Sequence, residues 1–122
     1  TIIIDGDASS RCGISMKGVE IIVKGSVGHM SAFMAQRGTL LICGDSGDAL
    51  GDSIYEAVIY MAGKPKSLGV YCIEKKITAN DLKKIHNLIK IGNIKNLKPH
   101  NFKKFGSSRK LYNFNIDNVS EY

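Results

Sequence analysis

Asp45, Asp48 and Asp52 share one short stretch with Gly44, Gly47 and Gly51, and that stretch could do two kinds of chemistry. Clustered carboxylates can hold calcium, and closely spaced glycines can let backbone amides cradle a phosphate. The spacing supports neither. The carboxylates miss the EF-hand pattern and the nonapeptide of calcium-binding β-rolls. The glycines fit neither the dinucleotide fingerprint nor the GxxxxGK[ST] loop, and no helix opens after them to offer its N-terminus. Turn formation is the better reading.

His29, His86 and His100 show no ligand spacing among themselves or with Cys12, Cys43 and Cys72. The cysteines form no CxxC pair, and free thiols in a reducing, cytoplasmic compartment are expected. No catalytic, cofactor-binding or metal-ligating residue is assigned on these grounds. The C-terminal region has a different texture. Lys95, Lys98, Lys103, Lys104, Arg109 and Lys110 are interleaved with Phe102, Phe105, Tyr112 and Phe114. Such a mixture suits single-stranded nucleic acid, through phosphate contacts and base stacking. It suits a docking arm equally well, with aromatic anchors and lysines on the wet side.

The charge is unevenly spread. Residues 1–72 hold 6 Lys+Arg against 7 Asp+Glu, and residues 73–122 hold 11 against 4, which together give the chain its net +6. A nearly neutral body followed by a basic tail suggests packing in one part and docking in the other. The 122 residues make one domain. No apolar run approaches the ~20 residues of a membrane span, and no signal-peptide layout opens the chain. Thr1 is not an initiator methionine, so a processed or trimmed start is expected.

The body is a repeat. Gly6, Gly25, Gly44 and Gly63 recur at a spacing of 19 residues, with Ile2, Ile21, Leu40 and Ile59 four residues before them and Ile4, Val23, Ile42 and Met61 two before. Three residues after come Ser9, Gly28, Gly47 and Lys66. Two wholly aliphatic columns in register with the glycines mean one supersecondary unit stacked on copies of itself. Each unit opens with a β-branched run too short for a helix, followed by turn formers. The predicted fold is therefore all-β: a parallel β-helix of about four coils, with glycine supplying positive φ at its corners. Gly6, Gly25, Gly28, Gly44, Gly47, Gly51 and Gly63 are the expected structural turns.

Alternation along each strand assigns the faces. The two aliphatic columns point inward, and a second inward ladder is expected at Met16, Ala35, Ile54 and Ile73, with Phe33 filling space beside Ala35. The column between points outward, yet it holds Ile3, Ile22, Leu41 and Tyr60. A large apolar stripe of that kind is expected to be covered, either by the chain's own arm or by another protein. Candidate interface residues are thus Ile3, Ile22, Leu41 and Tyr60 on the ladder, and Phe102, Phe105, Arg109, Tyr112 and Phe114 on the arm. At least two of the four ladder residues are expected to be buried by something outside their own coil.

After residue 77 the pattern changes. Thr78 and Asp81 form a capping-box pattern, and Leu82, Ile85, Leu88 and Ile89 follow at helical spacing up to Gly92, an expected helix stop. The organisation is a β-helix over 1–77, a helix over 78–92 that caps an end of the prism, and an extended basic and aromatic arm over 93–122.

The stretch Gly6–Gly69 resembles the GXGXG domain, the β-helix at the C-terminal part of the large subunit of glutamate synthase. Gly44-Asp-Ser-Gly-Asp-Ala-Leu-Gly51 and Asp52-Ser-Ile-Tyr-Glu-Ala-Val-Ile-Tyr-Met-Ala-Gly63 carry most of the likeness. Phe102-Lys-Lys-Phe-Gly-Ser-Ser-Arg-Lys-Leu-Tyr-Asn-Phe114 is similar to the tail shared by stand-alone versions, the separate subunits of split glutamate synthases. Ser9, Lys66 and Ala32 depart from the glycine pattern. The resemblance implies a right-handed β-helix with no catalytic residue and no cofactor of its own. It also implies a structural role, holding together glutaminase-like and FMN-dependent synthase subunits, with FMN and an iron–sulfur cluster in those partners and ammonia passing from glutamine to 2-oxoglutarate. A homo-oligomer is compatible with it, and a membrane is not expected. The C subunit of formylmethanofuran dehydrogenase has a similar β-helix, so a subunit of that oxidoreductase type is the alternative, beside a basic adaptor for nucleic acid.

Overall fold

The computed structural model describes residues 1–109. Four strands, β1 (Ile2–Ile4), β2 (Lys17–Val23), β3 (Arg37–Ile42) and β4 (Val58–Met61), stack in parallel and enclose about three turns of a β-solenoid. Their registers are the sequence columns: Ile2 sits opposite Ile21, Ile21 opposite Leu40, and Leu40 opposite Ile59. Period-two alternation then sends Ile21, Leu40, Ile59, Val23, Ile42 and Met61 into one core with Met16, Ala35 and Ile54. Phe33 is half-buried and is not part of that core.

Gly25, Gly44 and Gly63 are required by close approach, which corrects the expectation of positive φ at Gly44. Positive φ occurs at Gly13, Gly18, Gly38 and Gly51, and not at Gly6, Gly25, Gly44 or Gly63. Each column glycine instead donates its N–H to the carbonyl of the glycine one coil earlier, at 3.0, 2.8 and 3.0 Å for Gly25, Gly44 and Gly63. A Cβ on Gly44 would meet Gly25 O at 2.8 Å and Gly25 C at 2.9 Å. Positive φ is concentrated further round the coil, at Gly13 (+74°), Ala32 (+61°) and Gly51 (+68°). Ala32 bears the steric cost of that geometry and is held by an N–H···O bond to Cys12.

The last coil is one residue short. Ser46 still pairs with Pro65 at the 19-residue interval, but Leu50 pairs with Leu68 at 18. A shift of one residue exchanges the faces of whatever follows. Cys72 therefore occupies the inner place expected of Ile73, which is 44% exposed.

The fifth strand, β5 (Cys72–Lys75), does not stack on β4. Strand β6 (Lys103–Ser107) lies between them, antiparallel to both, giving the sheet order β1-β2-β3-β4-β6-β5. The segment expected to be an extended arm thus returns to complete the sheet, and this inserted strand closes the stack of parallel coils at that edge.

Helix α1 (Ala79–Gly92) begins at the capping box Thr78–Asp81, and Asn93, in the left-handed conformation at φ 55°, ends it. Gly92 is the last helical residue rather than the residue beyond the end; a Cβ there would meet Ile22 Cγ2 at 3.1 Å. That contact also places the helix. It lies on the outer face of the sheet, not across an end of the prism, and buries Ile85 and Leu88 against Ile22, Leu41 and Tyr60.

Candidate functional site

The outward apolar ladder is sealed within the chain. Ile22, Leu41 and Tyr60 form a second core with Ile85, Leu88 and Phe102, flanked by Ile94 and Leu97. Ile3 remains 44% exposed, beside Ile2 at 50%. The expectation that at least two of the four ladder residues are buried from outside their own coil holds for Ile22, Leu41 and Tyr60: the cover is helix α1 and the segment after it, including Phe102 of the expected arm. Phe105 belongs to the other core, inside the solenoid, because alternation along β6 points it inward opposite Ile59. Tyr112 and Phe114 lie outside the described residues.

One polar network joins these pieces. Asp81 is buried and accepts hydrogen bonds from Tyr60 Oη (2.6 Å), from Thr78 N (2.8 Å) and Oγ1 (2.9 Å), and from Lys104 Nζ (3.1 Å). Burial pushes its pKa up, but the hydrogen bonds from Tyr60, Thr78 and Lys104 outweigh it and hold the carboxyl down at about 2. Burial and the adjacent carboxylate raise the Tyr60 phenol instead. The network ties strand β4, helix α1 and strand β6 to one charge.

Arg109 is placed just as firmly. Its guanidinium lies between the rings of Tyr55 and Tyr71, 4.6 and 4.7 Å from their centroids, and donates to the carbonyls of Ser53 (3.2 Å) and Ile54 (2.7 Å). A residue expected on a docking arm is a clamp between the end of β6 and the third corner of the solenoid. The tyrosines, one coil apart in the stack, carried no signal in the sequence that would pair them.

Polar side chains along the coils bond to the next coil. Asp7 Oδ1 accepts from Ser26 N, Ser26 Oγ from Asp45 N, and Asp45 Oδ1 from Lys64 N, each 19 residues on. Asp45 thus has the turn role that its spacing suggested. Ser10 and His29 share a hydrogen bond of 3.0 Å, a pairing of nucleophile and base types. Asp48, next in that column, accepts from Ser67 Oγ, and among the described residues no bond joins it to His29. Burial raises the pKa of the Cys12 and Cys43 thiols. Burial first, then the Asp52 carboxylate, pushes Cys72 up to about 11. Low-pKa thiolates are the reactive ones, and these environments act in the opposite direction. Among the described residues no group of three or more His, Cys, Asp or Glu side chains could hold a metal ion, and no helix is long and apolar enough to cross a membrane.

Two clefts flank the Arg109 clamp. One, of about 660 Å³, is open and lined by Met34, Gln36, Arg37, Tyr55 and Glu56. The other, of about 190 Å³, lies over Gly106 and is bordered by Lys75, Lys104 and Arg109.

No family model matches the chain, and no solved structure matches it significantly. Among curated proteins it is 54% identical, over 96 residues, to Protein GlxC of Rhizobium meliloti (strain 1021). The match covers 79% of this chain and 42% of that protein, so the chain spans less than half the length of this curated relative.

Proposed function

We propose that this chain is a non-catalytic structural subunit of a glutamate synthase-like complex, a stand-alone member of the GXGXG domain family. In that role it holds glutaminase-like and FMN-dependent synthase partners in place. Three things support the reading. The parallel β-solenoid is the fold that the glycine motifs imply. The Phe102–Arg109 part of the tail motif is integral to it, supplying Phe102 and Phe105 to the two cores and Arg109 to the clamp. A similar stretch also forms part of a longer polypeptide, Protein GlxC, as a building block of a larger assembly would.

The observation that carries the proposal is the use of the chain's polar side chains. Asp7, Ser26, Asp45, Asp48, Ser67 and Asp81 all bond within the fold, between coils or between sheet and helix. Exposed apolar residues, among them Ile2 and Ile3 on the first coil and Val70 and Tyr71 on the last corner, are where partners would touch the chain.

Affinity capture of the tagged chain from its native source tests this. The expected eluate contains a polypeptide with bound FMN and one with glutaminase activity. Capture of nucleic acid instead, released steeply by salt, would replace the proposal with the adaptor reading.

A further inference from the structure

The small cleft over Gly106 brings together three positively charged side chains, Lys75, Lys104 and Arg109. Lys75 on β5 and Lys104 on β6 are direct cross-strand partners, and like charges placed opposite each other destabilise a sheet. Lys104 has Asp81 as its counter-ion at 3.1 Å. Lys75 and Arg109 have no carboxylate within ion-pair distance among the described residues, and Glu56, on the rim, pairs with none of the three. The side chain of Lys75 lies across Gly106, where an added Cβ would sit 3.4 Å from its Cδ. A glycine there keeps the floor of the cleft open. Arg109 borders the same cleft: its Nη2 donates to two carbonyls, and no hydrogen bond of its Nη1 is found among the described residues.

We propose that the cleft bordered by Lys75, Lys104 and Arg109 is a binding site for a small phosphate-type oxyanion. The donor set selects this class. The two faces of the guanidinium are covered by Tyr55 and Tyr71 and its Nη2 is engaged, so no free fork remains for bidentate capture of a carboxylate. What remains at the cleft is the Nη1 amino group and two ammonium groups, from three points of the chain, which suits a tetrahedral anion with three acceptor oxygens. A cleft of about 190 Å³ holds a phosphate and a short substituent. The site does not depend on the proposed complex, since every residue in it belongs to this chain.

Isothermal titration calorimetry of the full chain at low ionic strength tests the site, with inorganic phosphate and glycerol phosphate as separate probes. Saturable binding of one molecule per chain is expected for at least one probe. A tighter fit for glycerol phosphate identifies an esterified ligand, and a tighter fit for inorganic phosphate identifies the free ion. Lys75→Ala removes an exposed side chain that no ion pair holds. It should weaken binding about tenfold, the value of one charge-assisted contact, while leaving the melting temperature unchanged or slightly raised by relief of the Lys75–Lys104 repulsion. Arg109→Lys, which keeps the charge but lacks the guanidinium Nη1, should weaken binding as well. Absence of saturable binding with both probes, or Lys75→Ala binding as tightly as the parent, overturns the proposal.

Discussion

Tyr60 and Asp81, 21 residues apart, meet in a hydrogen bond of 2.6 Å that joins the last parallel strand to the first turn of the helix covering it. The outward column that looked like a docking stripe ends in this bond. Tyr60 lies among apolar groups, and its hydroxyl reaches the one carboxylate that also caps the helix and pairs with Lys104 of the inserted strand.

That carboxylate makes stability depend on pH. Its folded-state pKa, about 2, is below its ordinary 3.8. The stabilisation is therefore fully present above about pH 4 and is lost as the pH falls through about 2, an effect on the order of 2 kcal/mol. Urea titrations of the parent and Asp81→Asn across that range should show the parent losing this increment and the variant lacking it. Equal acid sensitivity in the two would contradict the role given to Asp81.

Substitutions in the glycine column should separate crowding from position in the repeat. Gly44→Ala places a Cβ against the backbone of Gly25, whereas Gly6→Ala meets nothing within 4 Å. Forcing atoms into packed space costs about 1–3 kcal/mol or more, so Gly44→Ala should lower the melting temperature clearly and Gly6→Ala hardly at all. Similar shifts for both would show that the column is not held by inter-coil contact.

Shortening the chain to end at Gly92 removes Phe102, Phe105 and the whole of β6. The facing edges of β4 and β5 lose their partner strand, and both cores lose an aromatic anchor. Unpaired edges and opened cores promote association. Light scattering should detect aggregates or oligomers, and a stable monomer would contradict the structural role of the tail.

The Cys72 thiol, pushed up to about 11, should react slowly with an alkylating reagent at pH 8 in the folded protein and at an ordinary thiol rate in urea. Rapid modification of the native protein at Cys72, located by peptide mapping, would show that the inner place assigned to this residue is wrong.

The repeat could be read in the sequence because each coil reuses one backbone geometry, so Ile21, Leu40 and Ile59 had to recur in phase. The faces followed from alternation, and the start of the helix from Thr78 and Asp81. Four features were not visible. Loss of one residue between Pro65 and Leu68 leaves no local mark, and only the pairing of Leu50 with Leu68 reveals it. The Lys-Lys-Phe-Gly-Ser of β6 is a weak strand on its own, stabilised by partners 29 to 46 residues away, Cys72 to Lys75 and Ile59 to Met61. An amphipathic pattern also states which side of a helix is buried but not against what. The expected end cap therefore became a lid on the outer ladder. Arg109 looked like a docking residue for a related reason: the two tyrosines that hold it come together only when the coils stack.

The structural-subunit proposal is tested most directly by reconstitution with the captured partners. Glutamine-dependent glutamate formation from 2-oxoglutarate is measured with the chain present, omitted and added back. The expected result is loss of activity on omission, recovery on addition, and neither bound flavin nor turnover in the chain by itself. Full activity of the partners without the chain would contradict the proposal.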